Sequence, residues 1–132
     1  MAKILICEDD ELYQQIAEAA FTGGEHEVTF AANGVQALNY IKASAFDLVV
    51  TDLLMPDKDG LEVIRAIREG SVKTPILAMT AGLASLKEPL LVAASALGAN
   101  DVIQKPFRPA ALRERVDALL AKARKDQNAI AV

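Results

Sequence analysis

Apolar residues fall into two alternating kinds of segment along this chain. Short, nearly continuous runs come first: Ile4-Leu5-Ile6-Cys7, Val28-Thr29-Phe30-Ala31, Leu48-Val49-Val50-Thr51, Ile76-Leu77-Ala78-Met79 and Val102-Ile103-Gln104. Runs of this length, rich in Val, Ile and Leu, read as strands buried on both faces of a parallel sheet. Between and after them the apolar positions take a helical spacing. Leu12, Ile16 and Ala20 share one face, Leu38 goes with Ile41, and Leu61 with Ile64 and Ile67. The last stripe is Leu112, Val116, Leu119, Leu120 and Ala123, with Arg113, Glu114, Arg115 and Asp117 off it. Pro109 suits the first turn of that helix, and Pro89 is expected to open the fourth, after a loop over 82–88. Strand then helix, five times over, predicts an α/β domain with parallel strands and helices on both faces. The expected organisation is one domain over residues 1–125 and a short frayed tail over 126–132.

Length and charge narrow the classes. At 132 residues the chain is long enough to bury a sizeable core without staples. Its single Cys7 lies inside an apolar run and reads as a small buried thiol. A formal net charge of -4 argues against direct nucleic-acid binding, which needs a concentrated basic face. Lys122, Arg124 and Lys125 cluster near the end of the last helix, where the helix dipole alone favours cations. No apolar stretch approaches the roughly 20 residues that span a bilayer. A cytoplasmic protein without membrane insertion is expected.

Four of the five runs end in groups able to hold a phosphoryl group or its metal. The first passes into Glu8-Asp9-Asp10, the third into Asp52, the fourth into Thr80 and the fifth into Lys105. Each has an ordinary explanation on its own: a turn former, a helix cap, a solvated lysine. Parallel sheets, however, bind ligands at the carboxyl ends of their strands, so these groups converge on one rim. A helix cap needs only one of Asp9 and Asp10, and carboxylates crowded together raise one another's pKa unless a cation neutralises them. Hard oxygen donors of this kind suit Mg2+.

These residues resemble the receiver domains of two-component response regulators. The resemblance covers about residues 3–124 and is carried by the Glu8-Asp9 pair, by Asp52 in a T-D-L-L-M-P-D-K-D-G loop, by Thr80 followed by a small Ala81, and by Lys105-Pro106-Phe107. It implies a flavodoxin-like, doubly wound (βα)5 sheet in the order 2-1-3-4-5, in a stand-alone, chemotaxis-regulator-like protein. Asp52 would be the phosphoacceptor, charged from a histidine kinase or a histidine phosphotransfer protein and read by a downstream target. Asp9, Asp52 and the backbone carbonyl of Leu54 would hold Mg2+ directly, with Glu8 acting through water. Lys105 would pair with the phosphoryl group, Thr80 would hydrogen-bond it, and the Lys105–Pro106 peptide would be cis. Such a protein is no conventional enzyme, although it catalyses its own phosphorylation and dephosphorylation.

The chain departs from the family pattern in three places. Val102 stands where the family often has a Tyr or Phe whose ring swings inward; Thr80 and Lys105 are a few positions further apart than usual; and Lys58 replaces an apolar loop residue. Phosphorylation is therefore expected to act mainly on residues 81–92. Competing readings fit less well. An aspartate-nucleophile phosphohydrolase places a second Asp two residues after the first, where this chain has Leu54, and a nucleotide- or flavin-binding fold wants a Gly-rich turn where this chain has three acids. The remaining alternative is a degenerate receiver that serves only as a protein-interaction module.

Overall fold

The computed structural model describes residues 2–55, 60–71, 73–81 and 84–131, of which 84–88, 90–91 and 127–131 are described by backbone alone. The elements alternate without exception: β1 (Lys3–Cys7), α1 (Glu11–Phe21), β2 (Glu27–Ala31), α2 (Gly34–Ala43), β3 (Leu48–Asp52), α3 (Gly60–Gly70), β4 (Ile76–Thr80), α4 (Ala84–Leu97), β5 (Asp101–Gln104) and α5 (Pro109–Ala131). All neighbouring strands pair in parallel, in the order β2-β1-β3-β4-β5. From β1 the chain thus builds outward to β2 on one side and β3 on the other. The crevice between β1 and β3 is where a doubly wound sheet binds its ligand.

Strand alternation divides the core into two layers. Ile4, Ile6, Leu48, Val50, Leu77, Met79 and Ile103 face α1 and α5, meeting Ala17, Ala20, Phe21, Leu112, Val116 and Leu120. Leu5, Cys7, Val49, Ile76 and Ala78 face the other way, onto Ala37 of α2, Val63, Ile64 and Ile67 of α3, and Ala94 of α4. The α5 stripe is the one expected from the sequence, and α3 buries Ile64 and Ile67 as expected together with Val63, with Leu61 half-buried. On α1, Ala20 is buried and Ile16 half-buried as expected, joined by Ala17 and Phe21, while Leu12 is 58 % exposed. The Asp10 side chain caps the helix by accepting from Leu12 N–H at 2.8 Å, so Leu12 lies in its first turn.

Two other expectations are corrected. Pro89 does not open α4, which starts at Ala84 and carries the proline inside. Ala84, Leu86, Lys87 and Glu88 are good helix formers, and their preference extends the helix ahead of the proline at the loss of one backbone hydrogen bond. Most of the long loop expected there is therefore helix. Residues 126–131, expected as a frayed tail, continue α5. The departure at Lys58 lies outside the described residues.

The end of the sheet remote from the acidic rim is closed by Arg68, in the last turn of α3. Its guanidinium donates to Gly98 O from Nε at 3.2 Å and Nη2 at 2.7 Å, to Ser71 O and Thr74 O from Nη1 at 3.1 and 2.8 Å, and to Asn100 Oδ1 at 2.9 Å. Asn100 Oδ1 also accepts from Ile76 N–H at 2.8 Å. One fork therefore ties the α3–β4 turn and the α4–β5 turn to the start of β4. Gly98 has φ +117, and a Cβ there would lie 2.6 Å from Arg68 Nε. Replacing Arg68 by Met strands three carbonyls at once, so Arg68→Met should lower unfolding stability by about 2–3 kcal/mol in urea titration. A loss below about 0.5 kcal/mol, the level of an ordinary surface change, would show that the fork is dispensable.

Candidate functional site

The strand register places the predicted groups side by side. Cys7 pairs with Thr51, Asp52 with Met79 and Thr80 with Gln104. The residues that end β3 and β4, and those that follow β1 and β5, therefore share one rim. Asp52 and Thr80 are the last residues of their strands and are nearly buried. Glu8 continues β1 by donating its N–H to Ala31 O at 2.9 Å, and Lys105 continues β5 by donating its N–H to Thr80 O at 2.7 Å.

Carboxylate oxygens of Glu8, Asp9 and Asp52 all lie within 4.8 Å of one another. Glu8 is fully buried, Asp52 nearly so and Asp9 exposed. Lys105 Nζ enters from β5, donating to Asp52 Oδ2 at 3.0 Å and pairing closely with Glu8 Oε1. Backbone amides supply the rest: Leu54 N–H reaches Asp52 Oδ1 and Asp10 N–H reaches Glu8 Oε2, each at 3.3 Å. Sequence reasoning thus named four residues that the fold gathers: Glu8, Asp9, Asp52 and Lys105. Thr80 stands one strand away and is tied to Lys105 through the backbone, and Leu54 meets Asp52 through its amide. Asp10 is occupied as the α1 cap. The Lys105–Pro106 peptide is cis, as the family resemblance implied.

Three supporting residues escaped the sequence reading. Tyr13 places its ring centroid 4.2 Å from Lys105 Nζ. Gln14 Nε2 donates to Glu8 O at 2.6 Å and so fixes the acidic pair to α1. Gly60, the first residue of α3, passes so close to the strand end that a Cβ would sit 1.9 Å from Asp52 O. The Asp-Gly ending of the loop hinted only at a turn. That it had to be glycine follows from a contact made across the loop.

Among the described residues, three carboxylates against one ammonium leave the rim with excess negative charge. Burial, reinforced by the charge of Asp52, pushes the Glu8 carboxyl up from 4.5 to about 7, with Lys105 opposing the rise. Burial pulls the Lys105 ammonium down, but its bonds and attraction to Glu8 and Asp52 outweigh burial and raise it. Cys7, pushed up to about 12 mainly by burial, is an inert thiol.

A five-stranded parallel sheet with an acidic switch-point crevice and one inward lysine defines a class of protein as well as a fold. The family model described as response regulator receiver domain matches residues 4–117. The chain belongs to that family. It is 35% identical over 131 residues to the transcriptional regulatory protein KdpE of Staphylococcus aureus, covering 98% of this chain and 55% of that one. The response regulator MprA of Mycobacterium avium is likewise 35% identical, over 130 residues, covering 98% of this chain and 56% of the relative. The chain thus spans about half the length of the curated relatives it matches. Among solved structures it resembles the chemotaxis response regulator CheY4 of Vibrio cholerae, with TM-score 0.80 and 30% identity over 90% of this chain and 98% of that one. A CheY-like receiver domain from Methanospirillum hungatei, at 24% identity, shares the fold with TM-score 0.87, covering 96% of this chain and 98% of that one. The flavodoxin-like fold expected from the sequence is the one observed.

The raised Glu8 carboxyl sets a pH dependence. A carboxyl whose folded-state value lies above its ordinary one favours the fold when protonated, so this contribution is fully present below pH 4.5 and is lost as pH rises through about 7. In metal-free protein, carboxyl-carbon NMR should show Glu8 titrating near pH 7. Lys105→Ala should move that titration higher still by removing the opposing cation. A titration at the ordinary value in both proteins would contradict the buried, paired geometry.

Proposed function

We propose that this chain is a phosphoacceptor switch: Asp52 takes a phosphoryl group from a phosphohistidine on a histidine kinase or histidine phosphotransfer protein. The observation that carries this reading is the placement of Lys105 Nζ 3.0 Å from Asp52 Oδ2, beside the Glu8 and Asp9 carboxylates at the mouth of the β1–β3 crevice. An Asp52 oxygen attacks phosphorus, the phosphorus–nitrogen bond breaks, and its electron pair leaves with the donor imidazole. The product is an aspartyl phosphate. Phosphoryl transfer asks mainly for alignment and charge neutralisation. Lys105 supplies one positive charge at the reacting oxygens, with its partners exchanged in part from Glu8 to the incoming group. Thr80, at the end of the adjacent strand, offers a hydroxyl to the same group. Gly60 and the Leu54 amide fix the Asp52 backbone and carboxylate.

The donor set fits Mg2+. Three carboxylates converge with more negative charge than Lys105 offsets, and hard oxygens suit a small divalent cation. Asp9, Asp52 and the Leu54 carbonyl would hold it, with Glu8 acting through water, and when bound it would neutralise charge on the transferring phosphoryl group. The presence of Glu8, Asp9, Asp52, Thr80 and Lys105 at one rim supports a working switch over a degenerate interaction module. Residues 1–125 are taken as the receiver unit, its partners as the phosphodonor protein and a downstream target, and its location as cytoplasmic. No helix among the described residues is long and apolar enough to cross a membrane.

Incubation with acetyl phosphate and Mg2+ should raise the intact mass by one phosphoryl group, and Asp52→Asn should abolish the gain. An undiminished gain in that variant sinks the assignment.

A further inference from the structure

The ammonium of Lys105 has two carboxylate partners, yet little water reaches it, since its side chain is only 5 % exposed. An aromatic face occupies much of what remains. The Tyr13 ring centroid lies 4.2 Å from Nζ, inside the roughly 6 Å range over which a ring face attracts a cation. Tyr13 belongs to the first turn of α1, and its ring is braced by Phe107, with centroids 5.4 Å apart and planes inclined at 54°. Phe107 lies two residues past Lys105. The β5–α5 connection therefore supplies both the cation and the ring that supports the cation's aromatic neighbour.

This arrangement differs in kind from the two carboxylate contacts. Carboxylates accept N–H bonds along particular directions and hold the ammonium where they are. A ring face attracts positive charge without dictating where the N–H bonds point. A lysine that must turn from Glu8 toward an incoming phosphoryl group needs a neighbour of the second kind.

We propose that Tyr13 is a positioning residue for phosphoryl transfer, holding the Lys105 ammonium against the acceptor carboxylate while its hydrogen bonds are exchanged. The inference rests on Asp52 being the phosphoacceptor. The phenol hydroxyl has no part in it: Tyr13→Phe keeps the face, and Tyr13→Leu keeps apolar bulk while removing the face.

Initial phosphorylation rates with acetyl phosphate and Mg2+, measured for both variants in the natural and the Lys105→Ala backgrounds, test this directly. Tyr13→Leu should slow the reaction by about three- to tenfold, while Tyr13→Phe should remain within about twofold of the natural protein. In the Lys105→Ala background Tyr13→Leu should cause no further loss, because its effect runs through the lysine. Proton NMR gives a second reading that needs no reaction. The Lys105 ε-methylene resonances should be displaced upfield by the ring, return on Tyr13→Leu and stay displaced in Tyr13→Phe. An unslowed Tyr13→Leu, or the same loss with and without Lys105, would overturn the role of Tyr13 while leaving Asp52 as acceptor. A natural protein that takes up no phosphoryl group would overturn the acceptor reading and the positioning role together, whatever the NMR shows of the contact.

Discussion

One ammonium holds an acidic rim together. Glu8 is fully buried and Asp52 nearly so, and each would be costly as an isolated charge in that setting. Lys105 bridges them, and the amides of Asp10 and Leu54 take up further oxygens. Asp9 adds a third carboxylate at the surface of the same cluster. The compensation is incomplete. It is enough for the fold to tolerate the cluster and too little to make it neutral, which is the state a site for a cation and a phosphoryl group requires.

The sheet makes this economical, because the parallel register alone brings residues far apart in the chain to neighbouring strand ends. Backbone ladders carry the alignment to the last position: Lys105 N–H bonds Thr80 O, and Leu53 N–H bonds Met79 O at 3.0 Å. Thr80 and Lys105 are thereby joined through the backbone at the ends of β4 and β5. The Val102 side chain packs with the core layer that faces α2, α3 and α4. Far from the site, Arg68 closes the other end of the sheet and anchors the turns that lead into β4 and β5.

What was legible in the sequence follows from how local each signal is. The strands were readable because a doubly covered strand leaves an unbroken apolar run, and the chemistry was readable because four of the five runs ended in a functional group. The α1 stripe holds at Ile16 and Ala20 and fails at Leu12, which the first turn of the helix leaves exposed. The start of α4 departs from the Pro89 signal because good helix formers ahead of the proline carry the helix backward to Ala84. Arg68, Tyr13 and Gly60 were invisible for a different reason. Their significance lies in contacts with Gly98, Lys105 and Asp52, and spacing along the chain holds no record of such meetings.

If the rim carries charge that only a cation can finish neutralising, binding that cation must stabilise the folded chain. Urea unfolding of the natural protein, with Mg2+ as the only variable, measures this directly. The midpoint should rise with Mg2+, the rise should vanish in Asp9→Ala and Asp52→Asn, and it should survive in Asp10→Ala, whose side chain serves the α1 cap. A midpoint indifferent to Mg2+ in the natural protein, or a rise lost equally in all three variants, would contradict the account.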